Sequence, residues 1–154
     1  MITHIAYALH SSLFKLRTLA SELLAAICVL APTEGHKAVL SAMSDYRIAY
    51  DESFRFETLV ASLRLPVIGD DSEGEEVSVE CQEGVWEACT ASMALINAMI
   101  NCPESLEDRV LIRDEFGRRG LNEITVVYCY EHVILSCPDF ESTRLCDMSS
   151  LQIH

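Results

Sequence analysis

Two long apolar segments, each lined on one side by small residues and each closed by a proline-containing break, constrain the fold of this chain more than any other feature. The first spans residues 23–31 (LLAAICVLA) and the second residues 86–101 (WEACTASMALINAMIN), about sixty residues later. Two such segments predict stacked helical repeats, in which amphipathic helices bury their faces against neighbours of the same kind.

The periodicity supports this reading element by element. Leu16, Leu19, Leu23, Ile27 and Leu30 recur three and four residues apart, which predicts a helix over 15–30 with those residues on one face and Pro32 as its stop. Thr33 is placed to cap a second helix with Glu34 in its first turn and Val39, Leu40, Met43 and Ile48 as its stripe, ending near Tyr50. Phe56, Leu59, Val60 and Leu63 predict a shorter third helix that Pro66 stops. Trp86, Cys89, Met93, Ile96 and Ile100 give the strongest helical period in the chain. After Pro103, Ser105 followed by Glu107 and Asp108 predicts a further N-terminus, with a helix to about Arg118 and Gly120 as its C-terminal cap. Residues 10–121 are therefore expected to be helical outside one loop, with Leu23, Ile27, Met93, Ile96 and Ile100 buried between repeats.

That loop is residues 69–84, which hold Asp70, Asp71, Glu73, Glu75, Glu76, Glu80 and Glu83 together with three glycines. The charges repel one another and predict an open surface segment that folding does not need. Calcium is the alternative, but the alternating Asp/Asn ligands and terminal glutamate of an EF-hand loop are missing. Beyond Ile124 the texture turns β-branched and aromatic (TVVYCY, then Val133, Ile134, Leu135), so residues 125–154 read as a divergent, poorly ordered tail.

At 154 residues the chain has the size of one domain with a proper core. Its net charge of -13 repels phosphate backbones and anionic lipid, which argues against nucleic acid and leaves a basic peptide or protein patch as the better electrostatic match. Seven cysteines are an odd count, and Cys28 and Cys89 fall on apolar helix faces, which suggests free thiols in a reducing compartment. The longest apolar run is too short to span a bilayer, and no basic segment precedes an apolar core at the N-terminus.

No nucleophile elbow, phosphate loop or metal-protease helix occurs, so the chain is read as a non-enzyme without cofactor or metal. Cys129, His132, Cys137 and Cys146 have the ligand types for zinc but the spacing of no known zinc module, and thiols in an apolar tail are the simpler reading. Beside the stripe of 86–101 lie Thr90, Ala94, Asn97, Ala98 and Asn101. Small residues there admit a partner helix at close range and the asparagines supply hydrogen bonds, although ordinary surface fits the pattern equally well.

Leu19-Ala-Ser-Glu-Leu-Leu-Ala-Ala-Ile-Cys28, Arg55-Phe56-Glu57, Ala94-Leu-Ile-Asn97 and Asp108-Arg-Val-Leu-Ile-Arg113-Asp-Glu-Phe116 followed by Gly120-Leu121 together resemble the GTPase-binding and formin homology 3 region of diaphanous-related formins. The resemblance covers about residues 9–124, and the acidic loop looks most like that of fungal members. It implies an all-α, armadillo-type partial superhelix over residues 1–124. Such a region binds a Rho-family small GTPase and the formin's own C-terminal autoregulatory helix, in the cytoplasm at the cytoskeleton, and touches actin only through the full-length formin. It also implies that Ala94, Asn97, Ala98 and Asn101 line the partner-binding groove. Family members carry further repeats and a GTPase-contacting segment before the position of Met1 and continue helically beyond Glu123. The chain is therefore expected to be a fragment whose texture change after Ile124 is a gene-model or splicing departure.

Overall fold

A computed structural model describes residues 1–64 and 79–127, and every regular element among them is helical. They are α1 (Ile2–Tyr7), a 3-10 turn (Ala8–His10), α2 (Phe14–Leu30), α3 (Glu34–Ala49), α4 (Glu57–Ala61), α5 (Val79–Asn101) and α6 (Leu106–Gly117). The chain divides into two units, Met1–Gly120 and Leu121–His154. Of the second, residues 121–127 are helical, so the β-branched Thr125, Val126 and Val127 continue a helix; the rest of the expected tail lies outside the described residues.

The first unit is built around α2 and α5, which pack against each other more extensively than any other pair of helices. Their buried residues are mostly small: Ala20, Ser21 and Cys28 beside Leu24 on α2, and Ala88, Ala91, Ser92 and Ala98 on α5. Small side chains let two helix backbones approach closely, and that choice of face corrects the expectation for α2. Leu23 is 53% exposed while Leu24 is fully buried, and Leu16, Leu19 and Leu30 also face outward; Ile27 is half-buried. On α5, Ile96 and Ile100 are buried as expected, Met93 is half-buried, and Trp86 sits at the edge of exposure.

Three local features fix how the helices meet. Gly35 opens α3 so close to α2 that a Cβ there would stand 2.5 Å from the Ile27 carbonyl oxygen. His36, the next residue, is buried and its Nε2 lies 2.8 Å from the Met99 carbonyl oxygen, tying α3 to the end of α5. Ser105 caps α6 by accepting from the Asp108 N–H at 3.4 Å, as its position predicts. Thr33 occupies the same place before α3 but makes no side-chain cap; its helical backbone angles put it within the turn rather than in the extended conformation a capping side chain needs.

The acidic segment also needs correcting. Helix α5 begins at Val79, so residues 79–84 belong to a helix rather than to the expected open loop, while residues 69–78 lie outside the described residues. At Gly84 the helix runs against Phe14, whose side chain comes within 3.6 Å of the position a Cβ would take.

Candidate functional site

Helix α5 buries one side against α2 and leaves the other to solvent. Thr90, Ala94, Asn97 and Asn101 are all exposed, and their spacing of four, three and four residues aligns them as one ridge along the helix. Ala98 does not join them. It is only 7% exposed, because it lies one residue round the helix from Asn97, on the shoulder that turns into the core. Of the four residues assigned to a groove, the structure brings together Ala94, Asn97 and Asn101 and places Ala98 beneath them.

The two asparagines are joined to each other. Asn101 Nδ2 donates to Asn97 Oδ1 at 2.6 Å and to the Asn97 carbonyl at 3.1 Å. This pairing holds both amides in fixed orientation and leaves the Asn97 amide N–H groups and the Asn101 carbonyl to meet a partner. Ala94, one turn earlier, presents only a methyl group. The ridge is therefore low and apolar at one end and offers a preset donor and acceptor at the other.

The unit that carries this ridge is held together at a second place, which periodicity did not reveal. Arg55 grips Glu115 of α6 with a forked contact, Nε to Oε1 at 3.0 Å and Nη2 to Oε2 at 2.6 Å, and also donates to Ser44 Oγ at 3.3 Å. Both partners are partly screened from water, where a bidentate pair is worth more than a freely solvated one. Immediately beside it the rings of Phe56 and Phe116 stack at 4.3 Å, both fully buried, with the Arg55 guanidinium 4.7 Å above the Phe56 ring. Phe56 takes a left-handed backbone, φ 73°, which an aromatic residue adopts only when its surroundings insist. Glu57 supports the turn by accepting from the Ser53 and Phe54 N–H groups. The sequence signal for this clasp was in view as two short motifs, Arg55-Phe56-Glu57 and Asp114-Glu115-Phe116, whose pairing across sixty positions no local pattern announces.

The titratable groups with displaced equilibria are structural. Burial, aided by Cys102, pushes the Cys28 thiol up to about 12, and burial followed by the nearby Glu52 does the same for the Tyr46 phenol. Both stay protonated and neutral, the opposite of what a nucleophile requires. Among the described residues no group of three or more His, Cys, Asp or Glu side chains is arranged to hold a metal ion. The cysteines and histidine considered for zinc, from Cys129 to Cys146, lie outside those residues. No helix among them is long and apolar enough to cross a membrane.

A family model described as the Diaphanous FH3 Domain matches residues 36–127, the stretch from α3 through α6 that contains both the ridge and the clasp. The chain is 30% identical over 111 residues to Formin-F of Dictyostelium discoideum, a match covering 72% of this chain and 8% of that protein. It is 33% identical over 129 residues to human Disheveled-associated activator of morphogenesis 2, covering 80% of this chain and 10% of the relative. It is 29% identical over 122 residues to human Formin-like protein 2, covering 79% and 10%. The chain thus spans a tenth or less of the length of these relatives.

Proposed function

The chain belongs to the Diaphanous FH3 domain family, a regulatory and non-catalytic part of formins, and from that premise we propose that it regulates a formin by binding two partners in turn. The first is the formin's own C-terminal autoregulatory helix, which docks on the α5 ridge and keeps actin filament assembly off. The second is an active Rho-family GTPase, whose binding releases that helix. Actin enters only through the full-length formin, and the setting is the cytoplasm at the cytoskeleton.

The observation that carries this reading is the exposed ridge of Ala94, Asn97 and Asn101 on a helix whose other face is anchored in the core. A helix docks in such a place with its apolar face toward small residues, and the fixed asparagine pair supplies polar contacts that set its register. The net charge of -13 favours a docking helix with basic flanks, mainly by speeding encounter and fixing orientation.

Fluorescence anisotropy with a labelled peptide of a formin C-terminal autoregulatory helix tests the proposal. Ala94→Glu places a charge where the docking helix must lose its water, and affinity should fall at least tenfold, which takes only about 1.4 kcal/mol. Ala94 is the site of choice because it is exposed; a charge at the buried Ala98 would disturb folding as well. In a chain extended by the GTPase-contacting segment of the resembling family, GTP-loaded Rho-family protein should displace the peptide and GDP-loaded protein should not. Equal affinity for the wild-type chain and Ala94→Glu would reject the ridge, and displacement indifferent to the nucleotide would leave a helical scaffold without a GTPase link.

A further inference from the structure

Between the 3-10 turn, the start of α2, α3 and α4 lies a cavity of about 260 Å³ to which α5 contributes Ser92. It is separate from the ridge and no step of the proposed regulation uses it. For scale, an apolar cavity of about 150 Å³ holds benzene, so this one has room for an aromatic ring with a short chain. Its floor is apolar, formed by Leu9, Met43 and Leu59.

Its polar wall combines Arg17 and the hydroxyls of Ser11 and Ser92 with the His10–Tyr46 pair, whose Nδ1 and phenol oxygen lie 3.3 Å apart. Arg17 is half-buried there and forms no ion pair among the described residues; its guanidinium rests 5.8 Å from the Phe14 ring centroid. Ser92 is only 2% exposed, lines the cavity, and its hydroxyl has no hydrogen-bond partner among the described residues. The Ser11 hydroxyl accepts from the Leu13 N–H at 3.1 Å and still has its own proton to give. No carboxylate lines the cavity. The Arg17 guanidinium and the Ser92 and Ser11 hydroxyls can all donate to a ligand that supplies an acceptor, and hydrogen bonds that involve an ionised group are the stronger ones.

We propose that this cavity binds a carboxylate carried on an apolar body, the carboxylate accepting from Arg17, Ser92 and Ser11 while the body rests on Leu9, Met43 and Leu59. A single cation matches a single negative charge. A phosphate monoester carries about -1.5 to -2 at neutral pH and would leave charge uncompensated in a strongly acidic chain. The carboxylate belongs either to a free aromatic acid or to the C-terminus of a peptide ending in an aromatic residue.

The test is a titration of the 15N-labelled chain followed by its amide NMR signals, with 3-phenylpropionate and N-acetyl-glycyl-phenylalanine as probes and their carboxamides as controls. Both acids should give saturable shifts centred on Leu9, Arg17, Met43 and Ser92, at least tenfold tighter than the carboxamides. Arg17→Met, which keeps the stem and removes the charge, should weaken the acids at least tenfold, since hydrogen bonds to charged groups are among the stronger ones. Ser92→Ala is the second variant, nearly isosteric, and should weaken the acids and leave the carboxamides less affected. Tighter binding of the dipeptide assigns the site to a peptide terminus, and tighter binding of 3-phenylpropionate to a free acid; either supports the proposal. Absence of saturable shifts, equal affinity for acid and carboxamide, acid binding unchanged by both variants, or inorganic phosphate binding more tightly than either acid would overturn it.

Discussion

A methyl group on Gly35 would meet the Ile27 carbonyl oxygen at 2.5 Å and the Ala31 Cβ at 2.8 Å, so the turn between α2 and α3 closes only because that residue has no side chain. Gly84 presents the opposite case. Its Cβ position lies at ordinary contact distance from Phe14, and it sits inside a helix, where glycine carries an entropic cost relative to alanine. Denaturant unfolding should therefore separate the two: Gly35→Ala loses about 1–3 kcal/mol through overpacking, whereas Gly84→Ala gains about 0.5–1 kcal/mol. A neutral Gly35→Ala would mean that α2 and α3 are less closely apposed than described. Individual residues were the least legible scale. Ser105 declared itself as a cap because capping needs only a local pattern, but the Arg55–Glu115 fork and the Phe56–Phe116 stack depend on which distant helices meet, and spacing within a helix carries no information about that.

Helices, by contrast, could be read from their period almost everywhere: α2, α3 and α6 stand where apolar spacing and prolines place them, α5 does so from Trp86 onward, and α6 begins at its expected cap. What period cannot supply is which of two candidate faces is buried when one is leucine-rich and the other small. On α2 the small face wins, since Ala20 and Ser21 permit a closer approach to α5 than leucines would, and the stripe of Leu16, Leu19 and Leu23 is left outside. Leu23→Glu should then shift stability by no more than about 0.5 kcal/mol, whereas Leu24→Ala should cost about 2–5 kcal/mol by leaving a cavity. Chemical denaturation of both variants checks the assignment, and a large loss with Leu23→Glu would restore the leucine face to the interior. The start of α5 was misread for a related reason: Glu80, Glu83 and Gly84 have the composition of an open loop, yet Phe14 packs against that turn, and tertiary contact overrides a weak local preference.

At the scale of the molecule, the helical build of the described residues and the membership of a formin regulatory family were both legible, because ordered motifs spread over many helices identify a family even when each helix alone is generic. The residues expected to line a docking groove do not all share one surface. Ala94, Asn97 and Asn101 share one exposed ridge, and Ala98 lies below it, since a helix that packs through small residues hides alanine as readily as it displays it. Two exposed surfaces are candidates for the proposed docking helix: the α5 ridge, low and with paired amides, and the outward leucine stripe of α2. The α5 ridge offers side-chain amides for the polar contacts the proposal needs, while an exposed leucine stripe is the kind of face that repeat proteins cover with a neighbouring repeat. The direct test is an amide hydrogen-exchange footprint of a formin autoregulatory-helix peptide on this chain. Protection, together with shifts of the side-chain amides of Asn97 and Asn101, should centre on Thr90 to Asn101 and leave Leu16 to Leu23 unchanged. A footprint on Leu16 to Leu23 with the asparagine amides undisturbed would contradict the account.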